Sequence, residues 1–131
     1  MKNAHINKPS TDFLNDVRLI IPQFLSIKLK EHALTKSLYP TMLGKYSTDT
    51  AYKIVPNNKK DPLIIYCIDG QGLLKIKNKN RKISRGDLVV IPANSNYIYQ
   101  TDDQHKGSVY WIHFNGSLAD EFIKRLTMKM E

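Results

Sequence analysis

Two tyrosines two residues apart, Tyr97 and Tyr99, follow the run Gly86-Asp87-Leu88-Val89-Val90-Ile91-Pro92. On a strand both rings fall on the same side. Phenols side by side offer flat apolar faces with hydroxyls that donate and accept, which is chemistry for holding a small molecule. A second candidate wall is Ser108 to Phe114, where Val109, Trp111 and His113 share one face and Tyr110, Ile112 and Phe114 the other. Catalytic chemistry is less well served. Cys67 and His113 could act as nucleophile and base only if folding joined them, and neither has an activating partner in view, so core packing is expected of Cys67. Asp102-Asp103 beside Gln104 and His105 imitates an acid–base site but reads as a solvated turn. Gly70-Gln71-Gly72 is a piece of a nucleotide fingerprint, yet it precedes a strand where a phosphate cradle needs a helix N-terminus. The four histidines, His5, His32, His105 and His113, are scattered, and one cysteine cannot build a disulfide or a thiolate zinc site.

The elements that must position these residues are mostly strands. Gly86-Asp87 turns the chain into Leu88 to Ile91, four apolar residues ended by Pro92, the pattern of a strand buried on both faces. Leu63 to Ile68 is another apolar run, containing Tyr66 and bounded by Pro62 and Asp69-Gly70. Gly70 and Gly72 permit a bend or bulge before Leu73 to Lys77, Asn78-Lys79-Asn80 turns the hairpin, and Arg81 to Ser84 returns. Upstream, residues 1 to 10 are polar and expected to be mobile unless they fold over a ligand. Arg18 to Ile21 is an edge strand or arm stopped by Pro22, and Gln23 to His32 a modest helix. Pro40 breaks any helix, and Thr41 to Val55 reads as two short strands. Seven or eight short strands with no helix between them call for an antiparallel barrel or sandwich. After Gly116, Ser117 is a fit N-cap, with Asp120 and Glu121 in the first turn and Leu118, Phe122, Leu126 and Met130 forming an apolar stripe beside Ile123. That pattern is still running at Glu131, so a longer parent protein is expected.

Composition bounds the function. The chain has 131 residues, 41% of them hydrophobic and 24% charged, enough for one core that buries about two-thirds of the unfolded surface. No apolar run approaches the ~18 residues of a membrane span and no signal-peptide core is present, so a cytoplasmic protein without membrane contact is expected. The net charge of +8 raises the question of nucleic acid. Its cations Lys75, Lys77, Lys79, Arg81, Lys82 and Arg85 gather on one hairpin, where alternation with Leu74 and Ile76 reads as a solvated sheet face, and no DNA-binding motif accompanies them.

Three stretches together resemble a known family: Leu63-Ile64-Ile65-Tyr66-Cys67-Ile68-Asp69-Gly70-Gln71-Gly72, then Gly86 to Pro92, then Tyr110-Trp111-Ile112-His113-Phe114-Asn115-Gly116. With the lead-in Leu38-Tyr39-Pro40 to Tyr46, they are similar to the N-terminal regulatory domain of the AraC family of bacterial transcription regulators. The resemblance implies a mainly β, cupin-type antiparallel barrel of jelly-roll kind, with a short N-terminal helix and a C-terminal helix. It implies an arm and helix over 1–37, an effector-binding barrel over 38–116 and the start of a linker or dimerisation helix over 117–131. DNA contact belongs to a helix-turn-helix half absent from this chain, and the parent protein is expected to be a homodimer.

The same resemblance places Trp111 inside the barrel, because the family's sugar sensor uses a tryptophan there and a tyrosine matching Tyr99. The expected ligand-binding set is Trp111, Tyr99, Tyr97, His113, Val109 and Tyr66, with Gly70, Gly72, Gly86, Asp87 and Pro92 as structural turns. The effector that the resemblance implies is a small molecule, with a sugar as one candidate. Val109 stands where the family's sugar site has a histidine. Metal cupins carry two histidines and a glutamate in a first motif and a histidine in a second. Here Gly70 to Gly86 holds neither residue type, and Asn94 and Tyr97 take the glycine and histidine places of the second motif, so no metal, no cofactor and no catalysis are expected. The alternatives are a small cupin enzyme such as a sugar isomerase, which bound metal would reveal, and a stand-alone carbohydrate-binding module.

Overall fold

Short β-branched and aromatic runs punctuated by glycine, asparagine and proline make strands that double back on one another. The computed structural model describes residues 5–6, 17–46, 53–55, 60–101, 104 and 107–130. Among them are ten strands: β1 (His5–Ile6), β2 (Val17–Ile20), β3 (Tyr39–Tyr46), β4 (Lys53–Val55), β5 (Leu63–Asp69), β6 (Gln71–Ile76), β7 (Lys79–Ser84), β8 (Leu88–Ile91), β9 (Tyr97–Thr101) and β10 (Ser108–Asn115). Helix α1 spans Gln23–Glu31 and helix α2 Ala119–Met130. The strands pair antiparallel in two five-stranded sheets, ordered β1-β4-β9-β6-β7 and β2-β3-β10-β5-β8. This is the expected mainly β cupin architecture, with ten described strands in place of seven or eight.

Side chains alternate across each strand, so one face of each sheet turns inward. Ile65, Cys67, Val109 and Trp111 from one sheet meet Leu74, Tyr97 and Tyr99 from the other in the main core. A second cluster lies on the outer face of the β10 sheet, where Phe114, Ala119 and Ile123 pack with Ile64 and Val90 beneath α2.

Several expectations are corrected by this packing. The strand at Leu88–Ile91 is not buried on both faces: Val89 and Ile91 enter the core, Val90 is half-covered by α2, and Leu88 is exposed. The two strands expected within Thr41 to Val55 are β3 and β4, but β3 begins earlier, at Tyr39, because the register with β10 skips Thr41 and this bulge accommodates Pro40. His5–Ile6 is an edge strand on β4, not a free tail. The β6–β7 hairpin turns one residue early, at Lys77 and Asn78, whose φ values of 50° and 61° make the mirror-image two-residue turn that matches strand twist. Gly72 lies within β6 and not in a turn. Helix α2 starts two residues after Ser117, whose N–H donates to the Lys36 carbonyl at 3.0 Å. Its buried face is Ala119 and Ile123, whereas Leu118 stays 55% exposed and Phe122 37%; the Met130 side chain lies outside the described residues. α1 forms where expected but none of its residues is buried.

Candidate functional site

The inward face of β9 carries Tyr97, Tyr99 and Thr101, and that of β10 carries Val109, Trp111 and His113, all buried. Two glycines make room for the largest rings. Gly44 faces Trp111 across the β3–β10 ladder, and a Cβ there would stand 2.5 and 2.7 Å from indole carbons. At Gly72 a Cβ would stand 2.5 Å from the Tyr99 ring carbon that bears the hydroxyl. No side chain fits either position while the rings keep their places.

Tyr46 stacks on Trp111 with centroids 5.4 Å apart, and His113 meets the indole edge-on at 5.9 Å. Tyr97 is close enough to Tyr46 to oppose its ionisation. Burial pushes the Tyr97 hydroxyl up to about 12 and those of Tyr46 and Tyr99 higher still, so all three remain neutral phenols. Burial also lowers His113 below the usual imidazole range, against the opposing pull of the backbone carbonyls of Asp61 and Pro62 and the Asp61 charge. At neutral pH the interior therefore presents uncharged donors and acceptors.

Four of those polar atoms have no hydrogen-bond partner: Tyr97 Oη, Tyr99 Oη, Trp111 Nε1 and His113 Nδ1. An unpaired buried polar group costs about 1–3 kcal/mol. The Tyr99 hydroxyl has the Cys67 thiol as a weak sulfur contact in hydrogen-bonding reach, while that thiol donates toward the Asp69 and Gly70 carbonyls at 3.4 and 3.8 Å. These four atoms belong to residues on the inward faces of β9 and β10, and buried polar groups of this kind are ordinarily satisfied by protein, by water or by a polar ligand. An open cleft of about 990 Å³ between the Lys77-Asn78 hairpin tip and the Pro92–Asn96 turn reaches Tyr97. Asn94 holds that turn with φ 64°, and Ser95 Oγ donates to the Pro92 carbonyl at 2.8 Å.

The structure thus brings together Tyr97, Tyr99, Val109, Trp111 and His113, and it corrects Tyr66. In β5 the inward positions are Leu63, Ile65 and Cys67, so Tyr66 projects from the outer face and is 43% exposed. Gly70 and Gly86 are turn residues with φ of 72° and 90°, and Asp87 Oδ2 accepts the Ser84 N–H at 2.8 Å. Cys67 and His113 sit four positions apart along paired strands, about 13 Å at the usual rise, and burial raises the Cys67 thiol, so they form no nucleophile–base pair. Asp102, Asp103 and His105 lie outside the described residues. Among the described residues no group of three or more His, Cys, Asp or Glu could hold a metal ion.

Two residues were missed. Tyr46 shares the inward alternation of Met42 and Gly44 along β3, which is the signal that could have found it. Asp61 accepts from Thr41 Oγ1 at 2.8 Å and Asn115 Nδ2 at 2.7 Å, tying the bulged start of β3 to the end of β10 beside His113. A loop aspartate between Lys60 and Pro62 gives no sequence sign of that role.

The family model described as the AraC-like ligand binding domain matches residues 40–129. The MmsAB operon regulatory protein of Pseudomonas aeruginosa is 31% identical over 128 residues, covering 88% of this chain and 42% of that protein. The Msm operon regulatory protein of Streptococcus mutans is 28% identical over 85 residues, covering 65% of this chain and 31% of that protein. The chain spans less than half the length of either relative. Among solved structures, a cupin superfamily protein from Desulfitobacterium hafniense superposes with a TM-score of 0.52 at 7% identity, covering 75% of each chain. A cupin domain from Schizosaccharomyces pombe gives 0.53 at 10% identity, over 81% of this chain and 67% of that one. At such identities the likeness shows the fold alone. No described helix is long and apolar enough to cross a membrane.

Proposed function

The chain belongs to the AraC-like ligand-binding domain family, a cupin-type effector-binding regulatory domain, and from that premise we propose that its effector is a sugar held by Tyr97, Tyr99, Trp111 and His113 inside the barrel. The observation that carries the reading is the set of four partnerless polar atoms on those residues. A sugar presents hydroxyls to satisfy them and an apolar face to cover the indole. Val109 adds hydrocarbon wall on the same face. The relatives are named as operon regulators, which supports a regulatory, non-enzymatic role in which DNA is bound by a further domain of the parent protein.

Occupancy is reported by a change in what the effector touches, because only differential affinity for two states shifts their balance. Two elements are placed to sense it. β1 and β2 attach the segment ahead of residue 38 to the sheet edges. At the far end His113 faces the chamber while the next residue, Phe114, packs under α2 and meets Phe122 edge-on at 5.7 Å. The exposed Phe122 of α2 and Leu118 just ahead of it are the surface through which two copies would associate in the parent homodimer.

Trp111 is the single tryptophan, so its fluorescence, titrated with a panel of pentoses and hexoses, tests the reading. A saturable change is expected for one sugar, with affinity weakened at least tenfold, about 1.4 kcal/mol, in Trp111→Ala measured by calorimetry. Equal affinity in a folded variant would remove Trp111 from the site. Proteolysis of residues 1 to 20 with and without the same sugar tests the arm: cleavage unchanged at saturation excludes it as the reporting element.

A further inference from the structure

The hairpin lysines and arginines are exposed, but they do not all stand on the same face of their sheet. In the β6–β7 ladder Lys79 pairs with Ile76, Arg81 with Leu74 and Ile83 with Gly72. Leu74 and Ile83 are buried in the core, so the alternation puts Lys79 and Arg81 on the inward side of β7. β7 and β8 are the edges of their respective sheets, and among the described residues no strand closes the gap between them. A cavity of about 440 Å³ occupies this seam. Its floor is Leu74, Ile76, Ile83 and Val89; Lys77, Lys79 and Arg81 stand on its rim; and Thr127 of α2 forms part of its wall. Among the described residues no Asp or Glu lines it.

We propose that this seam binds an amphipathic carboxylate, its hydrocarbon against Leu74, Ile76, Ile83 and Val89 and its charge among Lys77, Lys79 and Arg81. Three cations within five residues repel one another, and an anion among them relieves that repulsion while forming charge-assisted hydrogen bonds, bidentate in the case of Arg81. The apolar floor supplies the rest of the affinity and rejects small inorganic anions. The site is separate from the aromatic chamber and stands whether or not that chamber holds a sugar. Because Thr127 shares the wall, an occupant touches barrel and helix together and favours the docked position of α2.

Calorimetry with octanoate, octanol and octylammonium at low salt tests the proposal. Octanoate is expected to bind at least tenfold more tightly than octanol, and octylammonium more weakly than either. The octanoate affinity should fall as salt rises, because the rim is exposed and screened. The double variant Lys79→Glu/Arg81→Glu, at two exposed positions, should lose at least tenfold for octanoate and gain for octylammonium, and the milder Arg81→Gln should lose about threefold, with thermal melts confirming that both fold. Tyr99→Phe should leave octanoate binding unchanged. Equal affinity for octanoate and octanol, indifference to both rim variants, or loss through Tyr99→Phe instead would overturn the proposal. So would a short DNA duplex that depends on the same cations when octanoate does not bind.

Discussion

Removing one oxygen from the core should make the protein more stable and a worse receptor. In Tyr99→Phe the ring keeps its place over Gly72, and what disappears is a hydroxyl that is fully buried with no partner beyond the weak Cys67 sulfur. Deleting a satisfied hydroxyl costs about 1 kcal/mol, whereas deleting an unpaired one releases part of a desolvation penalty of about 1–3 kcal/mol. The ligand-free variant should therefore gain about 0.5–1 kcal/mol, raising the melting temperature by roughly 2–5 °C in a domain of this size. The effector loses the hydrogen bond and leaves one of its own polar groups unpaired, so its affinity should fall by about 1–2 kcal/mol, roughly five- to thirtyfold. Denaturant melts of the free protein and calorimetry with the sugar identified by Trp111 fluorescence read the two numbers. A variant destabilised by more than 1 kcal/mol would mean that the hydroxyl is satisfied in the free protein, and unchanged affinity would mean that no ligand reaches it; either result refutes the reasoning.

Other perturbations test the supports of the chamber. Gly72→Ala should displace the Tyr99 ring and cost about 1–3 kcal/mol by overpacking, read from the denaturant midpoint. Asp61→Ala should cost about 2 kcal/mol by releasing Thr41 and Asn115 together, and amide exchange should quicken at the joined ends of β3 and β10. His113 has a folded pKa below its unfolded value of about 6.5. Between the two values the unfolded chain binds more protons, so stability rises with pH across that window and is lost as pH falls through it. His113→Asn should flatten this slope in melts below pH 6.5, and an unchanged slope would assign it to other groups.

The period-two alternation made most strands legible, and it placed Tyr97 beside Tyr99 and Trp111 beside His113 on shared faces. It failed where both faces of a strand are apolar. In Leu63 to Ile68 the outward Ile64 serves α2 and Tyr66 meets solvent, so hydrophobicity alone could not tell inside from outside. The hairpin turn was misplaced by one residue because Lys77-Asn78 adopts its left-handed geometry without a glycine. The register of α2 was ambiguous because two stripes offset by one residue, Leu118–Phe122 and Ala119–Ile123, are both apolar, and the smaller Ala119 lets the second approach the sheet. Gly72 read as a bend, and Gly44 drew no reading, because the function of each depends on a ring contributed by another strand. Lys79 and Arg81 are exposed as expected, but their place beside the seam was not legible, because the seam exists only once two sheet edges are left facing each other.

The central claim is that the four partnerless atoms of the interior are the receptor for the effector. A crystal structure of the chain with the sugar that changes Trp111 fluorescence tests it most directly. The account predicts sugar oxygens about 2.7–3.2 Å from Tyr97 Oη, Tyr99 Oη, Trp111 Nε1 and His113 Nδ1. A sugar bound elsewhere, with those atoms unchanged, would contradict it.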